Sequence, residues 1–169
     1  MLMCFCQTVE AQIQRNFWGL ELGRSTKADV KAFLASEGFE YEENFFGHNA
    51  IAPTDIREFS FGGYSWSPTF GFYKNTLFLI QMVRAPLGFS STMGKTYEID
   101  TKSIFDKLRR KLNNKYGDLE VVKTSLSEPN FVVRDYNTVV QLILGTDNTI
   151  LLQYADRRLA RMDQNGDDL

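Results

Sequence analysis

The stretch FSFGGYSWSPTFGFY, residues 59–73, limits most strongly what this chain can fold into, because aromatic side chains alternate there with small or polar ones. Alternation with a period of two is typical of a β-strand that buries one face. The glycines at 62–63 can adopt the positive φ angles of a two-residue hairpin turn. A β-bulge at these glycines within one long strand is the alternative. The hairpin would pair Phe59 with Trp66 and Phe61 with Tyr64.

The aromatic face of this hairpin has two interpretations. Packed against the rest of a sheet, the rings would form the core of the protein. Several aromatic residues lie next to predicted turns, however, and exposed Tyr and Trp side chains commonly anchor interfaces. The candidate binding residues under this second interpretation are Phe45, Phe46, Tyr64 and Trp66.

A second turn is predicted at residues 74–75, and it would extend the apolar face into the next strand. That strand, LFLIQMV at 77–83, carries apolar residues on both sides, which is typical of a central strand. Its other side would present Phe78, Ile80 and Met82. The pairs expected across the second turn are Phe72 with Leu77 and Phe70 with Leu79.

Two amphipathic helices are predicted. The first begins at Thr26 as N-cap, with Asp29 completing an Asp variant of the capping box, and ends at Gly38. The second begins near Asp100 or Thr101 and ends at Gly117. The apolar faces consist of Val30, Phe33 and Leu34 in the first helix, and of Ile104, Phe105, Leu108, Leu112 and Tyr116 in the second.

The remaining segments are predicted strands, so each helix is followed by a meander. This order predicts an α+β fold with two helices packed on one face of an antiparallel sheet. We expect a single domain over 12–160, built from pseudo-repeats at about 17–97 and 98–160. The segment 161–169 is expected to be a disordered acidic tail. The predicted strands are 39–46, 56–61, 64–73, 77–84, 118–124, 131–136, 139–145 and 150–157.

The first eleven residues resemble the end of an export signal. MLMCFC is a short apolar run, and Val9 and Ala11 are the small residues that signal peptidase would need for cleavage before Gln12. Residues 1–11 are therefore interpreted as a signal-peptide remnant, which predicts a periplasmic or secreted protein. A frayed cytoplasmic terminus is the alternative.

The bulk composition argues against several functional classes. A net charge of −2 provides no strong field for nucleic acid, and the basic run KLRRKLNNK at 107–115 falls on a helix face. No apolar run is long enough to span a membrane. Cys4 and Cys6 are the only cysteines and His48 is the only histidine, so we expect no zinc site, no other metal site and no cofactor.

No catalytic motif stands out. His48 lacks a nearby nucleophile in the sequence, and neither a P-loop nor a dinucleotide-binding glycine pattern is present. The run EYEE at 40–43 could supply paired carboxylates, but its spacing fits a polar strand edge equally well. We therefore predict no enzymatic activity and name no catalytic residue.

The segment FWGLELGRSTKADVKAFLASEGF resembles the opening of the beta-lactamase inhibitor protein-like and SmpA/OmlA-like modules. The residues that carry this resemblance are Gly19, Gly23, Thr26, Asp29, Val30, Leu34 and Gly38. The resemblance implies a small secreted or envelope module that binds another protein through its sheet or loops. The lipobox and the disulfide-forming cysteines of those groups are missing in this chain.

The sequence therefore leaves three hypotheses. The first is an exported, non-enzymatic module that binds an envelope or extracellular protein or a peptide through aromatic residues on the sheet side away from the helices. The second is a small-molecule carrier or weak hydrolase with Glu42, Glu43 and His48 beside a cleft. The third is a structural subunit that forms a homodimer rather than a monomer through its strand edges.

Overall fold

The computed structural model of the 169-residue chain describes residues 12–54, 58–85, 94–117, 120–121 and 130–164. The strands form one large antiparallel sheet, and the helices form separate layers against it. The fold is therefore α+β, as the sequence predicts.

The edge strands of the main sheet are short, and its longest strands lie in the middle. The strands are β1 Asn16–Phe17, β2 Leu20–Glu21, β3 Tyr41–Glu43, β4 Ala50–Pro53, β5 Phe59–Phe61, β6 Tyr64–Tyr73, β7 Thr76–Arg84, β8 Glu120–Val121, β9 Asn130–Arg134, β10 Thr138–Leu144 and β11 Ile150–Asp156. The helices are α1 Lys27–Ser36, α2 Gly94–Tyr116 and α3 Arg157–Gln164, and a 3₁₀ turn spans Phe45–Gly47.

Nine strands form the main sheet in the order β3-β4-β6-β7-β11-β10-β9-β8, and β5 pairs with β6. β1 and β2 form a separate hairpin. At the centre, β7 pairs with β11 and Met82 lies opposite Leu152. The final strands of the two helix-plus-meander segments are thus neighbours. The tandem repeat at 17–97 and 98–160 stays a prediction, because strand order alone does not establish a duplication.

The two sheet faces differ in what covers them. The core face carries large buried side chains such as Phe70, Ile80 and Tyr154, and the apolar stripes of α1 and α2 pack on it. The opposite face, called the open face below, carries half-buried residues that include Gln81 and its cross-strand partner Gln153. The predicted placement of two helices on one face is therefore confirmed.

α3 was not predicted. Its Leu159 is buried but lies outside the core cluster, and the helix contacts β6, β7 and β11. α3 therefore covers part of the open face. Residues 161–164 are helical, so the expectation of a disordered tail is wrong for them, and the remaining tail residues lie outside the described ranges.

Both predicted helices are present. Thr26 and Asp29 form the expected capping box, since the Thr26 backbone N–H donates to Asp29 Oδ2 at 2.7 Å and the Asp29 N–H donates to Thr26 Oγ1 at 3.3 Å. Gly38 has a φ of +72° just beyond α1. The predicted start of the second helix at Asp100 or Thr101 is wrong, because α2 already begins at Gly94.

The Gly62-Gly63 hairpin is confirmed. Both glycines have positive φ, and the pairs Phe59 with Trp66 and Phe61 with Tyr64 are those predicted. The exposure predicted for Trp66 is wrong, because its side chain is 0% exposed and its Nε1 donates to the Phe61 carbonyl at 2.9 Å. The hairpin thus belongs to the core.

The second hairpin differs from the prediction in register. Phe72 pairs with Leu77 as expected, but a bulge between Gly71 and Phe72 makes Phe70 pair with Ile80 instead of Leu79. A Cβ at Gly71 would approach the Leu79 Cβ to 3.1 Å, so glycine allows the close passage of the two strands. Ile80 therefore joins the core face rather than the opposite one.

The predicted strand 39–46 is also wrong in its second half. β3 covers only Tyr41–Glu43, and the chain then turns because Asn44 and Phe46 have positive φ. In the parts of the chain that the structure describes, no helix is long and apolar enough to cross a membrane. The predicted signal remnant at 1–11 lies outside these parts.

Candidate functional site

A groove of about 670 Å³ lies on the open face of the sheet. Its floor comes from β4, β6 and β7, where small side chains such as Ala50 and Ala52 leave depth above the backbone. Phe45 and Phe46 lie at one end, and Asp163 of α3 also lines the groove. The volume falls in the range of sites that hold small ligands or part of a peptide.

The alternation of side chains along each strand determines which residues form the floor of the groove. The side chains of Ile51, Phe70 and Ile80 point to the core face, so their neighbours in β4, β6 and β7 point to the groove. Polar side chains in this floor include the cross-strand pair Thr69 and Gln81, and the apolar Leu79 and Val83 lie on either side of Gln81 along β7. The floor can therefore contact both an apolar group and the backbone of a bound chain.

The aromatic end of the groove is an irregular turn. Phe46 has a φ of +51°, a left-handed conformation that bulky side chains rarely adopt, and its side chain is 83% exposed. Its ring centroid lies 4.4 Å from that of Phe45, which is half-buried. Backbone strain and exposure of a large apolar side chain both cost free energy, and such costs concentrate at functional sites.

Asn49 fixes this turn to the sheet. Its side-chain amide donates to the Phe72 carbonyl at 2.7 Å and to the Lys74 carbonyl at 3.0 Å. The Phe72 backbone N–H donates in return to the Asn49 carbonyl at 2.8 Å. The chain is therefore fixed to the sheet three residues after Phe46.

α3 is held in place at its first turn. Asp156 is 7% exposed, and its Oδ1 accepts a hydrogen bond from the Leu159 N–H at 2.9 Å, as an N-cap residue does. Its Oδ2 lies 2.6 Å from the Arg15 guanidinium, which also donates to the Thr138 hydroxyl at 2.8 Å. The Arg157 side chain donates to the Asp135 carbonyl.

The lining of the groove contains few ionisable side chains. Among its lining residues in the described ranges, Asp163 supplies the one carboxylate, His48 supplies an imidazole, and there is no Lys or Arg. Asp163 follows Leu159 by four residues, so both side chains lie on the sheet-facing side of α3. The groove lining therefore combines the exposed ring of Phe46 and the half-buried ring of Phe45 with one negative charge.

The predicted binding residues divide into two pairs. Phe45 and Phe46 line the groove together. Tyr64 and Trp66 do not, because they belong to the hairpin that packs against the core cluster. Tyr64 is half-buried beneath Lys111, whose Nζ lies 5.4 Å from the ring centroid. The sheet thus separates the four aromatic residues into a groove pair and a core pair.

The three residues of the alternative hypothesis are also separated. His48 lines the groove, whereas Glu43 Oε1 pairs with Lys31 Nζ of α1 at 2.6 Å. This ion pair raises the pKa of Lys31, chiefly through the hydrogen bond to Glu43. Glu42 is exposed on β3 and is not among the groove residues. Within the described ranges, no cluster of His, Cys, Asp or Glu could hold a metal ion.

Sequence reasoning missed Asp163 and the groove floor. A signal for α3 existed, because Asp156 followed by the apolar Leu159 is an N-cap pattern. This signal was missed because the last strand was predicted to continue to residue 157 and the tail was predicted to be disordered. The floor could not be predicted without the order in which the strands pair.

The comparisons with known proteins are sparse. No protein-family model matches the chain, and no curated protein matches it. Among solved structures, the chain is similar to a DUF4309 family protein from Bacillus subtilis, with 18% identity, 88% of each chain covered and a TM-score of 0.45. A likeness at this level assigns no family and no function. The resemblance to inhibitor protein-like and SmpA/OmlA-like modules stays a prediction.

Proposed function

We propose that this protein is a non-enzymatic module that binds an extended segment of another protein in the groove between the Phe45–Phe46 turn and α3. The observation that carries the proposal is Phe46, whose 83% exposed ring is held at the groove in a strained conformation. A ligand confined to the groove would leave much of this ring in water. A polypeptide that crosses the turn covers it.

The groove supports a polypeptide partner in a second way. Its floor offers both apolar and amide side chains, which suits a chain with alternating side chains and exposed backbone groups. Export remains part of the proposal and depends on the sequence alone, so the partner would be an envelope or extracellular protein. The intact mass of the chain recovered from its host tests cleavage before Gln12.

The experiment is a titration with capped peptides that alternate aromatic and polar residues, followed by amide NMR shifts. We expect saturable binding and shifts at residues 45–49 and 79–83. Phe46→Ala should weaken binding by about tenfold or more. Tyr136→Ala is the matched control, since Tyr136 is 90% exposed but lies in the β9–β10 turn, and it should change nothing. Equal loss in both variants would contradict the groove as the site.

A small-molecule carrier is the second candidate, because a volume of about 670 Å³ also suits a compact ligand. Under that function, apolar small molecules would shift the floor residues while Phe46→Ala has little effect.

A further inference from the structure

We infer that the polypeptide segment bound in the groove carries a lysine or arginine side chain, which Asp163 recognises on the α3 side of the groove. This inference rests on the proposed function and specifies the chemistry of the partner. The groove provides the Asp163 carboxylate and the exposed ring of Phe46, and its described lining contains no Lys or Arg that would repel a cation. Aromatic faces and carboxylates both attract ammonium and guanidinium groups.

Asp163 is presented by a fixed element. α3 is anchored by the buried carboxylate of Asp156 and by the buried side chain of Leu159, which lies one helical turn before Asp163. The backbone position of Asp163 is therefore set by the packing of α3 on β6, β7 and β11.

Asp163 is also unfavourably placed for the free protein. It occupies the last turn of α3, where the helix dipole disfavours a negative charge. No hydrogen bond or ion pair joins its carboxylate to another residue in the described ranges. A cation in the groove would provide the missing partner and offset the dipole.

The test uses two capped peptides that alternate phenylalanine with arginine or with citrulline, the neutral analogue of arginine. Wild-type protein should bind the arginine peptide about two- to fivefold more tightly, since a partly exposed ion pair contributes a modest preference. Asp163→Asn should bring the ratio of dissociation constants close to one without lowering the melting temperature. Added salt should reduce the wild-type ratio.

Glu37→Gln is the matched control, because Glu37 is an exposed acid at the C-terminal end of α1. This variant should keep the preference for arginine. Equal binding of both peptides by the wild type, or a preference that persists in Asp163→Asn, would overturn the inference while leaving the proposed function standing. Failure of both peptides to bind would contradict the inference and the proposed function together.

Discussion

At the scale of single residues, Phe46 combines two costs that a purely structural residue would avoid. Its backbone is in the left-handed region and its ring is in water. Asparagine adopts that backbone conformation more readily and has no apolar ring to expose. We therefore treat Phe46 as a residue retained for binding at the expense of stability.

This interpretation predicts opposite effects of one substitution on stability and binding. Phe46→Asn should stabilise the free protein by about 1 kcal/mol, which corresponds to a rise in melting temperature of roughly 2–4 °C, while weakening peptide binding. Calorimetry and the peptide titration measure the two effects.

Phe45→Asn is the comparison for this prediction. Phe45 has no positive φ and is half-buried, so its replacement should not stabilise the protein. A lower melting temperature for Phe46→Asn would show that the ring at this position contributes to folding, and the argument from strain would fail.

At the scale of elements, α1 provides a pH-dependent prediction. The backbone N–H of Thr26, with a smaller contribution from its hydroxyl, holds the pKa of Asp29 below its ordinary value of 3.8. Because the folded pKa is lowered, the stabilising effect is complete above pH 3.8 and is lost as the pH falls through the folded pKa.

Asp29→Asn should therefore melt earlier than the wild type at neutral pH, and the difference should shrink in acid. Melting curves across the pH range measure this. Glu37→Gln, at the C-cap of the same helix and outside the capping box, should show a small difference at every pH. A difference between Asp29→Asn and the wild type that grows in acid would contradict the role of the charged cap.

The elements that sequence reasoning predicted well were those with strong local chemistry. The capping box at Thr26 and the two-glycine turn at 62–63 each restrict the backbone through neighbouring residues, and both were predicted correctly. The register beyond Gly71 was predicted wrongly, because the bulge there depends on how closely β7 approaches β6. Trp66 was wrongly predicted to be exposed, because its position near a turn does not show whether helices cover the hairpin.

The candidate site was predictable only in part, for a similar reason. Phe45 and Phe46 stood out as aromatic residues near a turn, and both line the groove. Asp163 reaches the groove through α3, which packs on strands far away in sequence. Local sequence patterns do not show which distant strands a helix packs on.

At the scale of the whole molecule, one partly buried network joins the N-terminal segment to α3. Arg15 contacts Asp156 and Thr138, and the Ile13 backbone N–H donates to Asp135 Oδ2 at 2.7 Å. Gly23 passes so close that a Cβ there would lie 2.6 Å from atoms of both Arg15 and Asp156. Arg15 and the first turn of α3, which are distant in sequence, thus share the carboxylate of Asp156.

Asp156→Ala should leave the Arg15 charge without its partner and remove the cap of α3. The expected loss is about 3 kcal/mol, or roughly 10 °C in melting temperature, with faster hydrogen exchange in α3 and weaker peptide binding. Asp106→Ala is the control, because its 3.9 Å contact with Arg109 is exposed and should contribute little. Similar losses in both variants would contradict the special role of this network.

The position of α3 in the chain also determines when the groove can exist. Its floor strands β4, β6 and β7 are synthesised first, but Asp163 follows only after β11, the last strand of the sheet. A ribosome-bound chain therefore contains the floor strands before the acidic residue beside them is made. During that interval the nascent protein would lack the selectivity for cationic segments that we infer for the finished one.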